Sequence, residues 1–260
     1  MNEVQKILLK RAKKVRLSYH DFINNPFDDA NAHKLRVNCR KLRGIIGILK
    51  KALYKDDYIR LNVELKNIAL IISDLREIDV LSELANETVK DKPDLSDHYQ
   101  EMFFYLKEKR DEEMKTALEK MKEAKLESKF DKIESKIVSL KFKEKYRDNE
   151  DLTQFLNKRL SKRYQKLMDD YETVEKKDYS QIHEIRKDAK TLRFGARYLG
   201  RLTELNYKLI SKEANKIQDE LGKNTDRHVN MQLLNAFAHE TDNQDLKKLF
   251  LAIRDIEKQK

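Results

Sequence analysis

The chain has 260 residues, 39% of them charged, with 56 Lys and Arg against 46 Asp and Glu and a formal net charge of +10. Two prolines, five glycines and no tryptophan leave a Lys- and Glu-rich composition that favours long helices over sheets. The single cysteine, Cys39, excludes an intramolecular disulfide, and no apolar run approaches the roughly 20 residues that span a bilayer.

Residues 3–22 place Val4, Ile7, Leu8, Ala12 and Val15 at helical spacing. The stretch NNPFDDAN ends this helix at Pro26 and offers Asp and Asn as caps for the next. A basic helix is predicted over 31–53, and a third over 57–89 with Leu61, Leu65, Ile68, Ile72, Leu75 and Val80 on its buried side. Pro93 marks another break, and the Lys/Glu-rich stretch 95–147 reads as two helices. The connector RDNED (147–151) leads to helices over 152–175, 181–204, 206–222, 226–239 and 243–258, with Gly200 and Gly222 as natural C-terminal stops. Period-two alternation and Asn-Gly hairpin signals are missing, so the expected class is all-α.

The basic helix is written twice. HKLRVNCRKLR (33–43) and HEIRKDAKTLR (183–193) match His33 to His183, Arg36 to Arg186, Arg40 to Lys190, Leu42 to Leu192 and Arg43 to Arg193, at a constant offset of 150 residues. A second pair, ISDLREIDV (72–80) and LGKNTDRHV (221–229), matches Glu77 to Asp226 and Val80 to Val229 at nearly the same offset. An offset of half the chain reads as a duplication rather than a short-period solenoid. It predicts one domain made of two similar helical bundles, 1–147 and 148–260, related by a pseudo-two-fold axis.

At about 100° per residue, positions i, i+3, i+7 and i+10 fall within an arc of about 80°. His33, Arg36, Arg40 and Arg43 therefore line one stripe about 15 Å long, with Leu35, Leu42, Ile46 and Leu49 on a different arc. In the second copy His183, Arg186, Lys190, Arg193 and Arg197 form the stripe, backed by Ile185, Ala189, Leu192, Ala196 and Leu199. A stabilising surface helix alternates charge signs at i,i+4. An uncompensated column is tolerable where it faces an anion, and arginine forks suit phosphate oxygens. Carboxylates on neighbouring elements are the plainer explanation, but a solvated face has no need to preserve its spacing in two copies. Each histidine lies in line with the cations, where it can donate to an anion. Glu77, Asp79 and Asp226 are candidates to buttress arginines. Lys13 and Arg163, each twenty residues before a histidine, flank the stripes; Lys50 and Lys51 prolong the first, Lys41 pairs with Arg40, and Arg110 is a weaker candidate.

The positive excess points to an anionic partner without separating nucleic acid, phospholipid headgroups, inorganic polyanions and acidic proteins. HEIRK at 183–187 lacks the second histidine of a zinc-protease helix, and no Glu-x-x-His pair of a di-iron bundle occurs. With no glycine-rich phosphate loop or nucleophile motif, no metal, cofactor or catalytic residue is expected. A phosphatase or phosphotransferase, with His33, His183 or Asp79 as the base, is the competing enzyme reading. No secretory leader is recognisable, so a cytoplasmic location is expected.

Together the four segments resemble the CHAD family, the conserved-histidine α-helical domain, whose His/Arg/basic/Leu-Arg signature occurs twice, each copy followed by a Leu-Gly and acidic signature. The resemblance implies two similar helical bundles and a basic central surface that binds inorganic polyphosphate without catalysis, with recruitment to polyphosphate granules as a compatible role. The chain departs from the pattern at Ser73, Glu77, Thr191, Thr225 and His228. The alternative is a nucleic-acid-binding helical protein, against which stand the lack of a helix-turn-helix, zinc finger or stacking-aromatic signature and of Asn or Gln in the columns for base reading.

Overall fold

The computed structural model describes residues 1–174 and 178–259, apart from the side chains of Lys223 and Asn224. The described residues form ten α-helices: α1 (Glu3–Asn24), α2 (Asp29–Leu49), α3 (Lys55–Ile71), α4 (Ser73–Asp91), α5 (Tyr99–Glu123), α6 (Leu126–Val138), α7 (Asn149–Thr173), α8 (Tyr179–Leu199), α9 (Tyr207–Glu240) and α10 (Gln244–Gln259). Short 3-10 turns lie at Pro93–Leu95, Glu144–Tyr146 and Gly200–Leu202. The β content among the described residues is one isolated antiparallel bridge, Leu53 to Phe142. The all-α class follows. Among the described residues no helix is long and apolar enough to cross a membrane.

Local chemistry starts the helices where polar caps stand. Asn2 and Gln5 close a capping box on α1, Asp28 accepts the Ala30 amide at 3.0 Å, and Asp178 accepts the Gln181 amide at 3.0 Å. Each satisfies an otherwise orphaned backbone donor, worth typically about 1 kcal/mol. Gly200 caps the end of α8 as expected, its amide donating to the Ala196 carbonyl.

Two boundaries differ from the sequence expectation, and in opposite senses. The predicted helix 57–89 is broken at Ile72, whose φ of −105° and ψ of 15° end α3 and start α4. No glycine or proline marks this break. It also resets the helical phase: Val80 is only half-buried, while Ile78, Leu81 and Ala85 face inward. Conversely, the predicted stop at Gly222 is absent, and α9 runs unbroken for 34 residues. Gly222 lies inside this helix, facing Arg186: a Cβ there would stand 3.5 Å from Nη2, an ordinary contact distance.

The buried residues form two clusters. The larger collects α1, α2, α3, the second half of α5, α6, α7, α8 and the first part of α9. The smaller joins the later part of α4, the start of α5, the end of α9 and α10. Both draw on the two halves of the chain. The apolar backs of the basic helices lie in the larger cluster, with Leu35, Leu42, Ile46, Leu49, Ala189, Ala196 and Leu199 all fully buried. Such burial, about 1.5–3 kcal/mol for a large aliphatic side chain, leaves the cationic side of each helix no place in the core.

Helices α2 and α8 pack directly on one another. Gly44 meets Phe194, with a Cβ at Gly44 placed 3.1 Å from that of Phe194. A Cβ on Gly195 would lie 2.3 Å from Cγ1 of Ile48, a distance no real contact adopts, so the approach requires glycine. Gly44 and Phe194 are themselves 150 residues apart, the offset of the sequence repeat.

Candidate functional site

The α2–α8 contact brings the N-terminal parts of the two basic stripes together. Arg36 donates from Nη2 to Ser73 Oγ at 3.2 Å and stands 3.9 Å from a Glu77 carboxylate oxygen. Arg186 donates from Nη2 to both oxygens of Asp226, at 3.0 and 3.3 Å. Ser73 and Gly222 occupy matching places in the two repeats: the serine supplies Arg36 with an acceptor, and the glycine lies beside the Arg186 guanidinium. The Nε of Arg186 is buried and has no hydrogen-bond partner among the described residues.

Between these arginines stand Arg40 and Lys190, which make no hydrogen bond or ion pair among the described residues. Burial, reinforced by Arg36 and Arg186, pushes Arg40 down to about 10. Burial, reinforced by Arg186 and Arg40, pushes Lys190 down to about 7. The Arg36 guanidinium is lowered too, by burial first, with Glu77 and Asp226 opposing and Arg76 and Arg186 reinforcing. Four cations thus face one another with two carboxylates, Glu77 and Asp226, among them. The positive charges outnumber these carboxylates, which favours an anion there.

The histidines sit at the outer ends. Burial lowers His33, with Arg76 and Arg40 adding to the effect, and burial followed by Lys187 lowers His183. Both rings are therefore biased towards the neutral form, able to donate one hydrogen bond from one ring nitrogen.

The remaining stripe residues diverge. Arg43 turns to α3, donating from Nε to Asn62 Oδ1 at 3.1 Å, and Arg193 turns to α9, donating to Gln218 Oε1 at 3.2 Å. Lys41 joins a second cationic group: burial lowers it, and Arg197, Arg11 and Arg193 add to the effect. Arg11 stacks over Tyr198, its guanidinium carbon 4.9 Å from the ring centre. Lys13 lies on an exposed lysine-rich face of α1 with Lys10 and Lys14. Arg163 pairs with Asp188 at 3.3 Å. Lys50 lies over the Tyr58 ring at 5.4 Å, and Lys51 borders a separate cleft beside α7. None of these four stands beside the Arg40–Lys190 pair.

Two of the three predicted acidic supports face stripe arginines, Glu77 and Asp226. Asp79 does not. Its side chain is 1% exposed and binds Arg110 Nε at 2.7 Å and Arg76 Nη1 at 3.5 Å. Burial raises its carboxyl, with Arg110 opposing. This ties Arg110 into a buried ion network. Arg76 is a neighbour that the sequence reading missed, and Ser73, noted there only as a departure from the family pattern, was not foreseen as a partner of Arg36. Thr225 and Gly222 stand at their counterparts, so comparing the repeats suppressed both. Tyr179 was missed as well: its ring lies 4.1 Å from that of His228 and 6.1 Å from that of His183.

Among the described residues, no group of three or more His, Cys, Asp or Glu side chains could hold a metal ion. Cys39 is fully buried, and burial pushes its thiol up to about 12.

The whole basic pair and its acidic partners fall within residues 7–235, over which the sequence matches the CHAD domain family. The chain belongs to the CHAD domain family. Solved structures agree at the level of the fold. The CHAD domain of the plant Ricinus communis superposes with a TM-score of 0.73 at 15% identity, covering 97% of this chain and 85% of that one. PptA from Streptomyces chartreusis superposes with a TM-score of 0.74 at 12% identity, covering 98% of this chain and 93% of that one. None of the curated proteins matches this CHAD chain.

Proposed function

We propose that this CHAD domain is a non-catalytic module that binds inorganic polyphosphate across the paired basic helices α2 and α8. The observation that carries the reading is the unpaired couple Arg40 and Lys190, held between Arg36 and Arg186 and short of countercharge. A linear phosphate chain presents dense, uniform negative charge and no base edges. Arginine forks can engage its oxygens bidentately while lysine and histidine add single donors. The repeated spacing on α2 and α8 supports an origin by duplication, with one column from each copy. The second group around Lys41, Arg197 and Arg193 extends the basic surface beyond the helix contact, and Lys13, Arg163, Lys50 and Lys51 are peripheral to it. The compatible cellular setting is the cytoplasm, at polyphosphate granules.

The test is the double variant Arg36→Glu and Arg186→Glu. Polyphosphate affinity is expected to fall by at least about a hundredfold, or about 2.7 kcal/mol, with helicity by circular dichroism unchanged. Unchanged affinity overturns the site. Wild-type affinity is expected to fall steeply with salt, as counterion release does for nucleic acids. Competition separates the alternatives: duplex DNA that displaces short polyphosphate at equal phosphate concentration favours nucleic acid. Release of orthophosphate in the presence of magnesium overturns the non-catalytic reading.

A further inference from the structure

The cleft bordered by Lys51 differs in kind from the arginine pair. It lies between the end of α2, the turn at Glu144–Tyr146 and the first half of α7, and encloses about 400 Å³. Its walls are tied together. The Lys143 amide donates to the Ala52 carbonyl at 2.9 Å, Lys143 Nζ donates to the Lys51 carbonyl at 3.2 Å, and Leu53 bridges to Phe142.

Five cations line it, Lys51, Lys145, Lys158, Arg159 and Lys162, against the single carboxylate of Asp151. Arg159 is under-compensated. Its Nε is buried without a hydrogen-bond partner among the described residues, and Asp188, the carboxylate whose charge acts on it, is paired with Arg163. The lining is also aromatic. Tyr146 and Phe155, both half-buried, have ring centres 4.8 Å apart at a tilt of 51°, and the Lys145 ammonium stands 6.0 Å above the Tyr146 ring.

A bare phosphate chain gains nothing from the rings, because an aromatic face carries negative quadrupole charge and disfavours an anion. The lining suits a ligand that joins a planar ring to phosphates. We propose that this cleft is a second site, independent of the arginine pair, for a free nucleoside phosphate. The base lies against Tyr146 and Phe155, and the phosphates meet Arg159, Lys158 and Lys162. The volume falls in the range of small-molecule pockets, about 300–1,000 Å³. Nothing in this assignment depends on polyphosphate being the ligand of α2 and α8.

Calorimetric titration of the full chain with ATP, without magnesium, tests the proposal, with adenosine and inorganic tripolyphosphate as comparison ligands. The variants are Lys158→Glu with Lys162→Glu, and Arg36→Glu with Arg186→Glu. ATP affinity is expected to drop at least about tenfold in the first and to persist in the second. In the second background, tripolyphosphate is expected to bind at least about tenfold more weakly than ATP. Three results overturn the proposal: tripolyphosphate binding as tightly as ATP in that background, ATP affinity that follows Arg36 and Arg186, or no ATP binding to the wild type at millimolar concentration. Lys158→Gln with Lys162→Gln serves as the milder pair if charge reversal lowers helicity. Loss of polyphosphate binding in the Arg36/Arg186 variant with ATP binding retained separates the two sites.

Discussion

The two halves of the basic site hold their arginines by different means. In the first half Arg36 faces Ser73 and Glu77, and Asp79 beneath ties Arg76 and Arg110 into a buried ion network. In the second half Arg186 faces the exposed Asp226 beside a glycine, and His228, at the place of Asp79, stacks on Tyr179 in solvent. The support of the first half includes a buried carboxylate, Asp79, while the acidic partner in the second, Asp226, is exposed. The cations converge from both, so matched positions present charge alike on different supports.

The largest expected effect breaks the frame on one side only. Asp79→Asn leaves two arginines around a lost buried carboxylate and is expected to cost about 3–5 kcal/mol of stability in chemical denaturation. His228→Asn, exposed at the matching position, is expected to change stability by less than about 0.5 kcal/mol. Equal losses would mean that the halves are supported alike.

The next effect concerns the cation that differs between the columns. Lys190, at about 7, is partly neutral in the free protein near neutral pH. A bound polyanion favours the charged form and raises it, so binding takes up a proton and affinity rises as pH falls through about 7. Between pH 8 and pH 6 polyphosphate affinity is expected to rise about tenfold. Lys190→Arg, always charged, is expected to flatten that part of the profile. His33 and His183, lowered below their ordinary range, add their share only in more acidic solution. An unchanged slope in Lys190→Arg assigns the dependence elsewhere. In the unliganded protein the sign is opposite. The folded state resists protonating Lys190, so its contribution to stability is lost as pH falls from the ordinary lysine range to about 7. Lys190→Met is expected to raise the melting temperature at pH 7 by at least about 2 °C.

The smallest effect probes the opening beside Arg186. Gly222→Ala adds a methyl at ordinary contact distance, 3.5 Å from Nη2, to the interior of α9. It is expected to stabilise the chain by about 0.5–1 kcal/mol through helix propensity. A net loss in the melting curve would show that Arg186 needs the full opening.

Much of this was legible in the sequence because its cause is local. Helical periodicity is set by backbone geometry, so Leu35, Leu42 and Ile46 could be assigned to one side of α2 and Arg36 and Arg40 to another. The caps at Asp28 and Asp178 are equally local. The breaks were misplaced where tertiary contacts override propensity. Gly222 reads as a stop by propensity, yet α9 continues through it, and Ile72 carries no breaking residue at all. Comparison of the repeats located Arg36 and Arg186 but passed over Arg76, and it marked Ser73 only as a departure from the pattern; their counterparts are Thr225 and Gly222.

The sequence by itself determined an all-α chain, two amphipathic basic helices with matched cation spacing, and membership in a family recognisable from four short segments. Only the tertiary structure decided which cations meet. Arg36, Arg40, Arg186 and Lys190 converge because α2 and α8 touch at Gly44, Phe194 and Gly195. Arg43 and Arg193 turn away to α3 and α9, and Lys51 falls into a different cleft. The physical reason is range: spacing along one helix follows from bond geometry, but the meeting of side chains about 150 residues apart depends on how closely two backbones approach. That approach rests on packing of the apolar backs and on Gly195 and Gly44, which carry no Cβ.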